Sequence, residues 1–201
     1  NKPADGGHLI LSLDDARKMA QQDLRAVPFI RPFIGAQDTI QGCLRYCLWI
    51  SDEKANEAAA ISSIKARTDG VAQMRRASKK ALTNAGASTP YAFQQVRQRG
   101  DESVILVPRH SSERREYLPI SLFQTGAIVA DGAFGVFNAK SWSLSVLVSR
   151  MHLVWVATVC GKIKTDYRYS NTLGWNTFPV PLLTEQNKAD LTRCAEDILL
   201  A

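Results

Sequence analysis

The sequence has few of the residues with which small domains are cross-linked or metals are held. Only four cysteines occur among 201 residues, at positions 43, 47, 160 and 194. They are too few and too scattered for a disulfide scaffold, and Cys43 and Cys47 have no second pair at metal-ligand spacing with which to form a zinc site. We therefore expect buried free thiols and no metal site.

Long apolar runs are also missing. No stretch approaches the roughly 20 apolar residues that span a membrane, and residues 1–7 lack the apolar core of a signal peptide. These features predict a cytoplasmic protein without a membrane partner. The chain opens in loop-like sequence without an initiating Met, so we expect it to be a piece of a longer protein.

Catalytic motifs are equally scarce. His8, His110 and His152 stand in unrelated contexts, and no carboxylate or nucleophile completes a triad with His110. His152 is expected to be a hydrogen-bonded core residue. No glycine-rich phosphate loop of the Walker type occurs, and no nuclease-like cluster of Asp, Glu and Lys is evident. The sequence predicts a recognition module without catalytic residues, and a self-sufficient nuclease is kept as an alternative.

Basic residues are in excess. The chain has 25 Lys and Arg against 19 Asp and Glu, a net charge of +6. This balance fits a polyanion partner, although many other proteins share it. One predicted helix carries several cations that either form a solvated surface or contact phosphates: Lys65, Arg67, Arg75, Arg76, Lys79 and Lys80.

The hydrophobic periodicity predicts an α+β fold. We expect a mixed, mainly antiparallel sheet with flanking helices, one long helix in the first half and one buried helix near the C-terminal third. The predicted strands are residues 9–12, 43–50, 103–108, 117–121, 127–131, 134–137 and 162–170. The predicted helices are residues 14–24, 52–86 with a weak point at Gly70, 141–159 and 185–200. Pro28 and Pro32 should break regular structure.

Two polar segments stand out from this framework. Residues 109–115 are rich in hydroxyls and guanidinium groups. Residues 162–170 alternate Lys162, Lys164, Asp166 and Arg168 with Ile, Thr and Tyr. On a strand, Lys164 and Asp166 would project to the same side. Spacing alone favours a surface salt bridge for this pair.

Seven segments in order resemble a known family: residues 2–10, 29–37, 45–50, 107–120, 149–156, 161–170 and 175–179. Among them are Val-Pro-Arg-His-Ser-Ser-Glu-Arg-Arg from Val107, and Gly-Lys-Ile-Lys-Thr-Asp-Tyr-Arg-Tyr-Ser from Gly161. Together they resemble the target recognition domain of MmeI-like (type IIL) restriction–modification enzymes and related adenine-specific DNA methyltransferases. The likeness covers residues 1–183, and residues 184–201 would begin a helical C-terminal region.

The resemblance implies a parent polypeptide that combines nuclease, methyltransferase and target recognition. S-adenosylmethionine would donate a methyl group to one adenine of a short asymmetric site, and a nuclease domain would use Mg²⁺. The Asn-Pro-Pro-Tyr/Phe methyltransferase motif is absent from the sequence. The catalytic domain is therefore expected upstream, and this fragment is expected to bind no cofactor. Its expected partners are double-stranded DNA and the methyltransferase domain of the same chain.

The family also indicates which residues read bases. These are Lys164 with Asp166, and Arg109 with Asp131 and the neighbouring Gly132. Lys or Arg donates to guanine O6 and N7, while Asp accepts from cytosine N4, so each couple suits one G·C pair. The residues expected to contact the DNA backbone or to order loops are Ser111, Ser112, Arg114, Arg115, Arg168 and Ser170. The alternative is a protein-interaction or scaffold domain whose polar runs are a solvated face.

Overall fold

The computed structural model of the protein describes residues 1–43 and 45–200. The chain divides into two compact units. Unit 1 comprises Asn1–Ile34, Gln41–Glu102 and Thr125–Asp131, and unit 2 comprises Gly35–Ile40, Ser103–Gln124 and Gly132–Ala201. Helices combine with mainly antiparallel sheets, which confirms the predicted α+β class.

The elements are numbered in chain order. The strands are β1 (Ile10–Ser12), β2 (Ile30–Ile34), β3 (Arg45–Leu48), β4 (Val104–Pro108), β5 (His110–Ser111), β6 (Ser121–Phe123), β7 (Ile128–Val129), β8 (Ala133–Phe137), β9 (Lys162–Ile163) and β10 (Asp166–Arg168). The helices are α1 (Leu13–Gln22), α2 (Ala36–Gln41), α3 (Ala55–Ala59), α4 (Ser62–Arg76), α5 (Ala81–Ala85), α6 (Trp142–Val148), α7 (Arg150–Val159) and α8 (Glu185–Leu200).

Unit 1 is built on a sheet in the order β1-β3-β2-β7. Strand β2 was not predicted because it contains Pro32. Trp49 N–H donates to Phe29 O, and hydrogen-bonded pairs alternate from there along β2 and β3. Pro32, opposite Tyr46, therefore falls at a non-hydrogen-bonded pair, where β3 requires no N–H. Leu44, which was predicted to belong to β3, lies outside the described residues.

The predicted long helix is divided into α3, α4 and α5. Gly70, the predicted weak point, lies inside α4 without a break. A Cβ there would meet the His8 ring at 2.6 Å, so this glycine permits a close contact. Helical spacing of Ile64, Val71 and Leu82 predicts that all three lie on the core-facing side. Ile64 and Val71 are buried, as predicted. Leu82 is 71% exposed, contrary to prediction, because the break before α5 changes the helical phase.

Arg75 was predicted to lie on the solvated or phosphate-contacting surface of the basic helix, and this prediction is wrong. Its side chain is 1% exposed, so it can neither form a solvated surface nor contact phosphates. A guanidinium carries five N–H donors, and Arg75 directs one to each of five backbone carbonyls. The acceptors, at 2.8–3.0 Å, belong to Pro3, Ala4, Gly86, Thr89 and Ala92.

Unit 2 contains two antiparallel sheets, β6-β4-β8 and β5-β10-β9. Every residue of β4 is buried, as predicted. The strand predicted over residues 117–121 instead begins at Ser121. Ile120 N–H donates to Leu118 O at 2.8 Å, forming a tight turn around Pro119 that interrupts the extended chain.

The predicted buried helix of unit 2 is also interrupted. Ser149 separates α6 from α7, and its Oγ accepts a hydrogen bond from His152 N–H at 3.1 Å. The helix is not buried all round, since Met151 is 74% and Val154 63% exposed. Helix α8 follows Thr184 as predicted and packs on α6, where Ser145 Oγ donates to Leu191 O at 2.6 Å.

Membrane-spanning potential was assessed over the described residues. No single helix there is long and apolar enough to cross a membrane; α6 and α7 pass the length and composition test only as a pair bent by 54°.

The cysteines are free thiols, as predicted. Cys47 and Cys160 are buried, but Cys43 and Cys194 are exposed, so the expectation of four buried thiols is wrong for these two. Within residues 1–43 and 45–200, no group of three or more His, Cys, Asp and Glu side chains is arranged to hold a metal ion.

Candidate functional site

The β5-β10-β9 sheet of unit 2 brings the two polar segments together. Ser111 pairs with Tyr167, and His110 pairs with Arg168. The ladder continues where Tyr169 N–H donates to Arg109 O at 2.8 Å. Segments more than fifty residues apart in the chain therefore form one surface.

Residues 162–170 are a hairpin rather than the predicted single strand. Strands β9 and β10 pair through Asp166 and Ile163, and Lys164 and Thr165 form the turn. Lys164 has a φ of +56°, in the left-handed region that short hairpin turns require. Lys164 and Asp166 were predicted to share one face of a strand. That prediction is wrong, because the turn separates them. Lys164 lies at the tip and Asp166 begins the returning strand, and both are exposed.

Asp166 connects the hairpin to the loop that follows β5. Its Oδ1 accepts a hydrogen bond from Glu113 N–H at 3.4 Å. The loop also closes on itself, because Arg115 N–H donates to Ser112 O at 3.2 Å and Arg114 N–H donates to Ser112 Oγ at 3.3 Å. The turn presents the side chains of Arg114 and Arg115 to solvent.

Arg109 is held between β8 and β10. Its N–H donates to Gly132 O at 3.4 Å, and its guanidinium carbon lies 4.7 Å from the centroid of the Phe134 ring. Arg109 and Gly132, two of the residues predicted to read bases, are thus in backbone contact in unit 2, while their role in base reading stays a prediction. Asp131 is exposed and is the last residue of unit 1, so its coupling to Arg109 stays a prediction.

The residues predicted to contact phosphates differ in accessibility. Arg168, like Arg114 and Arg115, is exposed. Ser111 is only 5% exposed, and its Oγ is buried without a hydrogen-bond partner among the described residues; in this conformation it cannot reach a phosphate. Ser170 Oγ accepts from Leu173 N–H at 3.3 Å and lies 2.9 Å from Thr172 Oγ1, so it orders the local turn.

A cleft of about 380 Å³ opens beside this sheet. Among the described residues, its lining contains two guanidinium groups, an imidazole, two hydroxyl-bearing side chains and an amide, but no carboxylate. The lining residues are Arg109, His110, Phe134, Gly161, Arg168, Tyr169, Ser170 and Asn171. Neither His110 nor Asn171 was predicted to belong to the site. The position of His110 in a polar run next to Arg109 could have indicated that it belongs to the site. Its pairing with Arg168 could not be predicted, because it depends on how the strands of the sheet associate.

A buried aromatic cluster lies behind the cleft. His152 Nε2 is 3.1 Å from the Tyr169 hydroxyl, which confirms the predicted hydrogen-bonded core histidine. Burial lowers the pKa of His152 to about 4 and raises the pKa of Tyr169. The Tyr169 ring lies 5.9 Å from that of Phe134, and the His152 ring lies 4.6 Å from that of Phe178.

Comparisons with known proteins identify a family and similar proteins. Residues 1–182 match the family model described as MmeI, target recognition domain. The chain is 35% identical over 199 residues to DNA methyltransferase A of Bacillus subtilis (strain 168), covering 99% of this chain and 22% of that protein. A solved structure of the type IIL restriction–modification enzyme MmeI in complex with DNA is 29% identical, with a TM-score of 0.87. It covers 100% of this chain and 27% of that one.

Proposed function

Because the chain belongs to the family of MmeI target recognition domains, we propose that it reads the target sequence in double-stranded DNA for a longer enzyme. The chain spans about a quarter or less of the length of the relatives it matches. One of those relatives is a DNA methyltransferase, and the other is a restriction–modification enzyme bound to DNA.

The observation that carries the proposal is the surface formed by the β5-β10-β9 sheet. It gathers exposed cations from two distant segments beside a cleft without carboxylates. A two-stranded ribbon fits the major groove of B-DNA, and the β9–β10 hairpin is such a ribbon with Lys164 at its tip. Arg114, Arg115 and Arg168 then lie on the same sheet and loop, where they neutralise phosphates.

Lys164 and Asp166 are the proposed readers of one base pair. The Lys164 ammonium donates to guanine O6 and N7, and the Asp166 carboxylate accepts from cytosine N4. Asp166 Oδ1 bonds the Glu113 N–H, so Oδ2 is the oxygen proposed to meet the base. Because Lys164 lies in the turn and Asp166 on the returning strand, the two reach the groove from successive positions of the ribbon.

Arg109 with Asp131 and Gly132 is proposed to read a second base pair. A Cβ at Gly132 would meet no heavy atom within 4 Å beyond its chain neighbours. Side chains at this position are therefore sterically tolerated, which suits a place where specificity varies. Ser112 joins the proposed backbone contacts, Ser170 orders its local turn, and the buried Ser111 is no longer proposed as a phosphate contact.

The chemistry is assigned to other domains of the parent protein. In this proposal the parent transfers a methyl group from S-adenosylmethionine to an adenine, in the cytoplasm where its DNA substrate lies. A nuclease domain, where present, would add Mg²⁺-dependent cleavage. The residues of this chain bind and orient DNA and take no part in bond making.

The test exchanges the two charges of the hairpin. We expect full-length parent protein carrying Lys164→Glu and Asp166→Arg to methylate a site altered at one base pair, because each lost base contact costs about 1–3 kcal/mol at that pair. Sequencing of methylated sites measures the change. The matched control is Glu185→Lys with Lys188→Glu, which reverses an exposed ion pair of α8 and should preserve the recognition sequence.

An unchanged recognition sequence at every position in the hairpin variant would contradict the proposed base reading. Absence of DNA binding by the parent, or binding that does not weaken with salt, would instead favour the protein-interaction alternative. Cleavage of DNA by this chain alone with a divalent metal would favour the nuclease alternative.

A further inference from the structure

The backbone of Arg109 is held on both sides by neighbouring strands. Its N–H donates to Gly132 O at 3.4 Å, and its carbonyl accepts from Tyr169 N–H at 2.8 Å. The position of its Cα is therefore set by the two sheets of unit 2. The long side chain beyond it has many rotamers, so its direction requires separate support.

The Phe134 ring supplies that support. The guanidinium carbon of Arg109 lies 4.7 Å from the ring centroid, within the range of a cation–π contact. Phe134 lies on β8 opposite Val107 of β4, two residues before Arg109. The ring and the arginine therefore rise from adjacent strands, so that the ring forms one wall against which the guanidinium lies.

Phe134 is in turn backed by buried groups. Its ring contacts Tyr169 at 5.9 Å between centroids, and Tyr169 is only 6% exposed. The Tyr169 hydroxyl lies 3.1 Å from Nε2 of His152, which is fully buried and packs edge-on against Phe178. A continuous set of rings therefore runs from the interior of unit 2 to the guanidinium of Arg109.

We propose that Phe134, supported by Tyr169 and His152, is a positioning residue that sets the base preference of Arg109. The inference rests on the proposed function of this site. A well-placed arginine discriminates between bases because its paired N–H groups must align with two acceptors. Loss of the ring would leave the positive charge in the cleft but remove the aromatic wall against which the guanidinium lies. DNA would still bind, and the choice of base would loosen.

The experiment uses the full-length parent and measures methylation of a library in which the target is changed one base pair at a time. We expect Arg109→Ala to relax discrimination at a single base pair. Phe134→Leu should relax the same pair by about two- to tenfold and leave the others unchanged. Phe134→Tyr keeps the aromatic face and should retain the normal preference. If Phe134 acted only by filling space, the added hydroxyl would be expected to disturb the preference as well.

The outcomes separate this inference from the proposed function. If Arg109→Ala leaves the preference unchanged at every position, base reading by Arg109 itself fails. If Arg109→Ala relaxes one pair while Phe134→Leu lowers methylation of all sites equally or has no effect, only the positioning role is overturned. Should Phe134→Leu not fold, Phe134→Met decides: it removes the aromatic face that lies against the Arg109 guanidinium but keeps an apolar side chain of similar length, and an unchanged preference at the Arg109 pair overturns the proposal.

Discussion

Several basic side chains of unit 1 are buried or paired, whereas those of the hairpin and its neighbouring loop in unit 2 are exposed. In unit 1, Arg75 is buried and donates all five of its side-chain N–H groups to backbone carbonyls, while Lys65 pairs with Asp69 at 2.7 Å. Arg67 reaches His8 O at 3.0 Å and Asp15 at 3.4 Å. In unit 2, the cations of the hairpin and its neighbouring loop point to solvent around a cleft. Basic residues that are close together in sequence therefore do not by themselves mark an interface, because the fold decides which of them are buried, paired or exposed.

The difference follows from the geometry of the two elements. A helix distributes its side chains around its axis, so one side of a basic helix must face the core. Arg75 occupies such a position on α4, and its charge is tolerated because every N–H has an acceptor. A short hairpin with a loop beside it has little interior, and its polar side chains stay accessible.

The largest effect is expected from removing the Arg75 side chain, which tests whether this buried cation holds unit 1 together. We expect Arg75→Ala to lower the free energy of unfolding by ~4 kcal/mol or more, because five buried carbonyls lose their donor at once. Urea denaturation of the chain measures this. The neighbouring exposed Arg76→Ala should change it by no more than ~0.5 kcal/mol. Similar small effects for both variants would show that Arg75 is not the centre of unit 1.

The buried histidine of unit 2 provides a second test. The pKa of His152 is lowered to about 4 in the folded protein from an ordinary 6.5, so between these values the unfolded chain binds more protons. Stability is therefore unaffected by this group above pH 6.5, and it falls by roughly 3 kcal/mol as the pH drops to 4. Urea denaturation across this range should show the fall in wild type and in His110→Gln, which changes an exposed imidazole.

In His152→Gln this part of the pH dependence should disappear, while the titration of the carboxylates remains. Equal slopes in His152→Gln and wild type would show that His152 is not held neutral by the fold.

The smallest expected effect is on the salt dependence of DNA binding, which distinguishes basic residues that contact phosphates from those that do not. In DNA-binding titrations of the full-length parent over a series of salt concentrations, Arg114→Ala should weaken all sites alike and reduce the slope of log affinity against log salt by about 1. Arg76→Ala is the matched change in unit 1 and should leave the slope unchanged. A reduced slope for Arg76→Ala would mean that the basic helix also contacts phosphates.

The predictions that were confirmed depend on local sequence patterns. A run of five buried residues indicates β4, the periodicity after Thr184 indicates α8, and the mixture of elements indicates the α+β class. The family resemblance came from seven ordered segments, and the family-model match over residues 1–182 confirms it. In each case the signal lies within a stretch short enough for its own pattern to dominate.

The errors occurred where one residue changes the direction of the chain. Alternation in residues 162–170 suits a strand equally well before and after a turn, so it did not show that Lys164 adopts a positive φ. Ser149 was read as part of one helix, but its hydroxyl caps α7 and separates it from α6. Such breaks depend on hydrogen bonds that periodicity does not reveal.

The sequence by itself determined the fold class, the family and the two polar segments, because these follow from composition, periodicity and the order of motifs. Tertiary structure decided which charges are available. Arg75 and Arg114 are the same residue type in comparably basic surroundings, yet one meets five carbonyls and the other meets solvent. The pairing of His110 with Arg168 and the Phe134 ring beneath Arg109 likewise depend on strands distant in sequence, since only the folded sheet brings their partners within contact distance.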